Sequence, residues 1–170
     1  MVVKVMSSGS SMTSAIGYNE DKVKEGYATV IAEVNPDPDH ATGLDTLARL
    51  ATRNIRSQDV ASHMAVNPGP DESLTDQQLK EMIGELMGGL GYGEQPYIIY
   101  RHNDIDRTHY HVVSIRINHD GRKIPDRLER RKCNSLLKEM APRFGIQIGR
   151  GRITKGQENE QVPKQGGKKM

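Results

Sequence analysis

The chain has 170 residues and a formal net charge of +2, a length that suits one domain able to bury a core without disulfide or metal staples. Its single cysteine, Cys133, excludes an internal disulfide, and no stretch reads as a signal peptide or as an apolar run long enough to cross a bilayer, so a reducing cytoplasm is the expected compartment. The charge is unevenly spread: residues 121–170 hold 14 Lys and Arg against 5 acids, while residues 1–120 hold 10 against 17, the asymmetry expected of a protein that grips a polyanion on one side.

In chain order, residues 1–15 begin as a short strand and pass into a Ser and Gly cluster that suits a loop or a helix cap. Tyr18 follows directly. The polar run from Asn19 to Glu25 predicts an exposed helical turn stopped by Gly26, and Tyr27 to Val34 predicts a strand. The prolines of Asn35-Pro36-Asp37-Pro38-Asp39 mark a turn. Leu44, Leu47, Ala48, Leu50, Ala51 and Ile55 recur at helical spacing and predict an amphipathic helix over 43–56.

A strand over Val60 to Val66 should end at Asn67-Pro68-Gly69-Pro70. The helix after it should be capped by Thr75 or Ser73 and bury Leu79, Met82, Ile83, Leu86 and Met87 before the glycines at 88, 89, 91 and 93. Strands are expected over 97–102 and 108–118, with a turn at His119-Asp120-Gly121. A basic helix over about 127–141 should carry Leu128, Leu136, Leu137 and Met140. Residues 150–170 lose almost all apolar character and read as a disordered tail or a linker, leaving 1–149 as the domain.

The segment from His102 to His111 holds three of the six histidines. Alternate residues of a strand share a face and lie roughly 6.6–6.8 Å apart, so His109 and His111 point the same way. If 103–108 is a hairpin loop, His102 lies opposite His109 on a strand about 4.8 Å away and faces the same side. Three imidazoles then meet around one volume, and three neutral nitrogen ligands leave positions open, as a catalytic metal requires. Asp104 and Asp106, in the intervening loop, can orient an imidazole from behind. Imidazole suits manganese, zinc, nickel or cobalt, whereas cellular abundance favours magnesium.

Tyr18 is the candidate nucleophile. Tyr27, Tyr97, Tyr100 and Tyr110 fall in expected strands, where tyrosine commonly packs. A phenol is a poor nucleophile at neutral pH, so it needs a base or a strongly polarised phosphate, and an open-sided metal provides the second. No GxxxxGK[ST] loop is present, and the glycines of Gly89-Leu90-Gly91-Tyr92-Gly93 precede a strand instead of opening a helix, which argues against a dinucleotide site.

The run Ala15-Ile16-Gly17-Tyr18-Asn19-Glu20-Asp21-Lys22-Val23-Lys24-Glu25-Gly26 resembles the first motif of MOBP-type conjugative relaxases, particularly mobilisation proteins of Bacteroides-like elements. His63-Met64-Ala65-Val66-Asn67-Pro68 resembles their second motif, and His102 to Asn118 resembles the metal-binding histidine motif of HUH endonucleases. The resemblance covers residues 15–118 and, loosely, the basic helix beyond. It implies an α+β fold with a central antiparallel sheet of about five strands, and a strand-specific nick at an origin of transfer. Tyr18 would attack the phosphate and stay joined to the 5′ end, and His102, His109 and His111 would hold the metal, Mn²⁺ or Mg²⁺ in the cell. His63 and Asp104 would stand behind the ligands; a Ser common after the second-motif His is replaced around Met64 and Ala65. The implied partners are single-stranded origin DNA, accessory mobilisation proteins and a coupling protein.

Arg101, Arg107, Arg116, Arg122, Lys123, Arg127, Arg130, Arg131 and Lys132 cluster around the histidine hairpin and the next helix in the sequence, and are expected to contact DNA phosphates, which position a strand without reading it. Three rival readings exist: a rolling-circle replication initiator with the same metal hairpin, a non-catalytic DNA-binding accessory protein whose histidines hold a structural ion, and a small-substrate phosphohydrolase.

Overall fold

The computed structural model describes residues 1–6, 12–39, 42–103 and 107–149. The expected tail 150–170, the Ser and Gly cluster at 7–11, Asp104 and Asp106 lie outside the described residues. Five strands form one antiparallel sheet: β1 (Val2–Val5), β2 (Ala28–Val34), β3 (Ala61–Asn67), β4 (Tyr97–His102) and β5 (His109–Ile115), in the order β1-β3-β5-β4-β2. Four helices, α1 (Met12–Lys24), α2 (Gly43–Ala51), α3 (Asp76–Leu90) and α4 (Glu129–Phe144), pack on it, and the fold is α+β.

The connections dictate where the helices lie. Because β1 and β2 occupy opposite edges, the helix between them must cross a face of the sheet, and α1 packs against β2, β3 and β5. That face also receives α2, and its apolar core is Met12, Ala15, Leu47, Leu50, Ile98, Tyr100, Val113 and Ile115 with their neighbours. On the other face α3 and α4 cover a larger core in which Met82, Ile83, Leu86 and Met87 are fully buried, each such side chain contributing about 1.5–3 kcal/mol.

Several sequence expectations change at element ends. The expected turn at Asn19 to Glu25 is the second half of the longer helix α1, whose inward positions Met12, Ala15 and Asn19 recur every three or four residues. Gly26 stops it at φ +85°, and Tyr27, expected inside a strand, lies just before β2 and is 48% exposed. Helix α2 ends at Ala51, not at 56, because the Asn54 side chain accepts from the amides of Arg56 and Ser57 and turns the chain away. Ile55 is therefore solvent-exposed instead of joining the apolar face. Thr75 caps α3 with a complete capping box through Gln78. Leu128, expected in the buried stripe of the last helix, is its exposed N-cap residue at φ +59°.

A histidine cluster beneath a helix-borne tyrosine

The hairpin of β4 and β5 pairs His102 with His109 and Tyr100 with His111, so the three histidines face the α1 side at the end of the hairpin where its two strands are joined. All three are buried, and one nitrogen from each lies within 4.8 Å of the others. His63 joins them from β3, because its strand pairs Ala65 with His111. Its Nε2 lies 2.8 Å from His111 Nδ1. Lys4 reaches the same face from β1, where it is the register partner of Ala65.

Above this row sits α1. Tyr18 is 46% exposed, with its ring centroid 5.9 Å from that of His102, the planes only 15° apart, and 5.7 Å from that of His111. Asn19, one residue on, is completely buried. Its Nδ2 donates to Ala15 O at 2.8 Å, which turns Oδ1 toward His102 Nε2 at 2.7 Å. The same Nδ2 lies 3.5 Å from His63 Nε2.

These contacts set the tautomers. Asn19 Oδ1 can only accept, so His102 carries its proton on Nε2 and its lone pair on Nδ1. His63 Nε2 faces an amide donor, so it accepts from His111 Nδ1–H, and His111 keeps its lone pair on Nε2. His109 directs Nδ1 at Arg107 O, 3.5 Å away, which leaves Nε2 for an ion. Hydrogen bonding of the far nitrogen is how proteins orient histidine ligands.

Burial keeps His63 and His111 neutral. Burial, and then the ammonium of Lys4, lowers the pKa of His63 to about 4. Burial pushes His111 far below the usual histidine range, and His102, His63, His109 and Lys4 add repulsion in that order. Buried imidazoles whose hydrogen bonds fix their tautomers, within reach of one point, suit a divalent cation, so the donor set fits the metal the sequence implies. Cys133 cannot close the coordination shell, because it lies in the core on the far side of the sheet, its thiol pushed up to about 12 by burial and by Glu129. His63 turns its Nε2 to the His111 ring, which sets it behind the ligands.

The basic residues separate. Arg116 is a correction: it is 4% exposed and its guanidinium is consumed inside the protein, by Glu129 at 2.6 Å, Tyr92 Oη at 3.0 Å and the carbonyls of Asp59 and Ala61. That network fastens the start of α4 to the sheet. Arg101 alternates away from His102 to the opposite face and pairs with Asp76 at 2.5 Å. Lys123 binds Gln58 O at 2.6 Å. Arg130, Arg131 and Lys132 are exposed, but they ride on α4, which packs on α3 and β1 across the sheet from the histidines. Arg122 is exposed on the turn after β5. Arg107 is two residues from His109 in the chain, but its Nη1 lies 3.4 Å from Pro68 O and its side chain lines a cavity with Arg101 and Tyr110.

Sequence reasoning missed Asn19, Lys4 and Lys22. Lys4 left a signal, a charge interrupting the valines of β1. Asn19 left none, since a polar residue on a polar helix looks exposed until the sheet beneath it is known.

A five-stranded antiparallel sheet that presents a buried histidine trio able to hold a metal agrees with the resemblance of the sequence to HUH endonucleases. The chain belongs to the relaxase family: residues 18–146 match the family model described as the MobA/VirD2-like relaxase nuclease domain. Comparison with curated proteins and with solved structures gives no match in either set. The family is one of nuclease domains that nick DNA during mobilisation, and among the described residues no helix is long and apolar enough to cross a membrane.

Proposed function

We propose that this domain nicks and rejoins one strand of DNA at an origin of transfer through a covalent tyrosine intermediate. Tyr18 Oη attacks the scissile phosphorus; the new O–P bond forms as the bond to the 3′ oxygen breaks. The phenolic proton is lost to solvent and the departing 3′ oxygen is protonated, leaving a 5′-phosphotyrosine and a 3′ hydroxyl. One phosphodiester replaces another, so the reverse reaction rejoins the strand without nucleotide fuel. A divalent ion held by His102, His109 and His111, Mn²⁺ or Mg²⁺ in the cell, supplies charge stabilisation at the phosphoryl oxygens. Asn19 orients His102 and His63 orients His111, and burial keeps the His111 lone pair available at neutral pH.

The observation that carries this reading is Tyr18 itself, half-exposed on a helix yet stacked within 5.9 Å of a ligand histidine. A tyrosine that merely packed would be buried, as Tyr92 and Tyr100 are. Single-stranded DNA is the substrate, and accessory mobilisation proteins and a coupling protein are its partners in transfer. The test is incubation with Mn²⁺ and single-stranded origin DNA: wild-type protein forms a denaturant-stable adduct that Tyr18→Phe abolishes while DNA binding persists. Adduct of normal yield in the Phe variant refutes the assignment.

A further inference from the structure

Beside the cluster stands a group that the reaction above does not use. Helix α1 ends in a paired turn in which Gly26 N–H donates to Val23 O at 3.1 Å and Tyr27 N–H donates to Lys22 O at 2.9 Å, the 6→1 and 5→2 pattern that needs Gly26 at positive φ. This turn folds Tyr27 back over α1. The Lys22 ammonium then lies 5.6 Å from the Tyr27 ring centroid and 5.7 Å from that of Tyr18. Tyr27 is also tied to the histidine hairpin, because its carbonyl accepts from Asn103 N–H at 2.6 Å, next to His102.

The residue usually found against the helix in such a turn is apolar and covered. Here it is a tyrosine with 48% of its surface in solvent. In a chain with one Phe and no Trp, Tyr18 and Tyr27 are the exposed aromatic residues among those described, and a single lysine stands between them. A cation beside an exposed aromatic face matches a single strand, in which phosphates and bases alternate, and Tyr18 on the other side of Lys22 marks where the attacked phosphate lies. We propose that Tyr27 stacks on a base of the DNA next to the phosphate that Tyr18 attacks, with Lys22 on the intervening backbone phosphate. The platform tolerates any base, since every base offers a π-face, and sets the position of the strand instead of its sequence.

This rests on the nicking reading above, and the experiment separates the two. Fluorescein-labelled single-stranded DNA bearing 5-iodouracil is titrated with metal-free protein, cross-linked by light and mapped by mass spectrometry; adduct formation with Mn²⁺ is measured in parallel on unmodified DNA. Tyr27→Ala weakens binding roughly 5- to 150-fold, the range for loss of one stacked base. Tyr27→Phe restores it, and the cross-link maps to Tyr27 in both wild-type and Tyr18→Phe protein. If Tyr27→Ala melts as wild-type does but binds within twofold, the inference is overturned, as it is if the cross-link falls elsewhere. A DNA adduct on Tyr27 in the Tyr18→Phe protein overturns it too, since Tyr27 would then be a reserve nucleophile. Binding and a Tyr27 cross-link without any Mn²⁺-dependent adduct uphold the inference and sink the nicking reading instead.

Discussion

Replacing Asn19 by Ala tests whether α1 and the metal centre are one mechanical unit. The side chain is wholly buried and makes three hydrogen bonds, to Ala15 O at 2.8 Å, from His102 Nε2 at 2.7 Å and, the longest, to His63 Nε2 at 3.5 Å. Truncation strands the His102 N–H in a site from which water is excluded, a penalty of about 1–3 kcal/mol, and the small cavity adds to it. The expected loss is therefore roughly 2–4 kcal/mol in urea unfolding of the metal-free protein, a large share of the ~5–15 kcal/mol that holds a domain of this size together. Losing the contact that orients a ligand should also weaken Mn²⁺ binding about 10- to 100-fold, read by calorimetry on the folded variant. The conservative change Asn19→Asp keeps an acceptor for His102 and should retain more of the metal affinity than Asn19→Ala, although it forfeits the donor to Ala15. If Asn19→Ala binds Mn²⁺ as tightly as wild-type and loses less than about 1 kcal/mol, the hydrogen bonds do not govern the ring and the tautomer assignment for His102 is wrong.

Arg116→Met should cost about 3–5 kcal/mol by leaving Glu129 buried without its partner, while the salt dependence of single-stranded DNA binding stays as in wild-type; a shallower salt slope would return Arg116 to the DNA-contacting set. Stability of the metal-free domain should fall as pH drops from 6.5 toward 4. His63 titrates at about 4 when folded and near 6.5 when unfolded, so in that window the unfolded chain binds more protons, and the stabilisation, full above 6.5, declines by about 3 kcal/mol. His111 is shifted the same way by burial and by its neighbouring rings and steepens the decline; urea midpoints that stay flat between pH 7 and 4.5 would contradict it.

How much of this was readable beforehand depended on how local the determining contacts are. The convergence of the three histidines follows from two short-range rules: alternation puts His109 and His111 on one face, and hairpin pairing sets His102 against His109, as the register shows. The capping box of α3 is equally local, held within Thr75 to Gln78. The helical identity of 12–18 was harder, because Thr13, Ser14, Ile16 and Gly17 weaken the propensity and only packing on the sheet compensates.

By itself, then, the amino-acid order determined the strands to within a few residues, the helices that begin near 43 and 76, though not that the first ends at Ala51, and three histidines converging on one side of a hairpin, since each depends on periodicity or on pairing across a few residues. Only the tertiary structure decided what surrounds that trio. The strand order β1-β3-β5-β4-β2 carries α1 across the sheet, and that crossing sets Tyr18 and Asn19 over the cluster. The same order brings His63 and Lys4 in from other strands, buries Arg116 against Glu129 and sends the basic helix to the opposite face. Asn19 and His102, for one, are 83 positions apart in the chain, and no local pattern encodes which residues at such separations will meet.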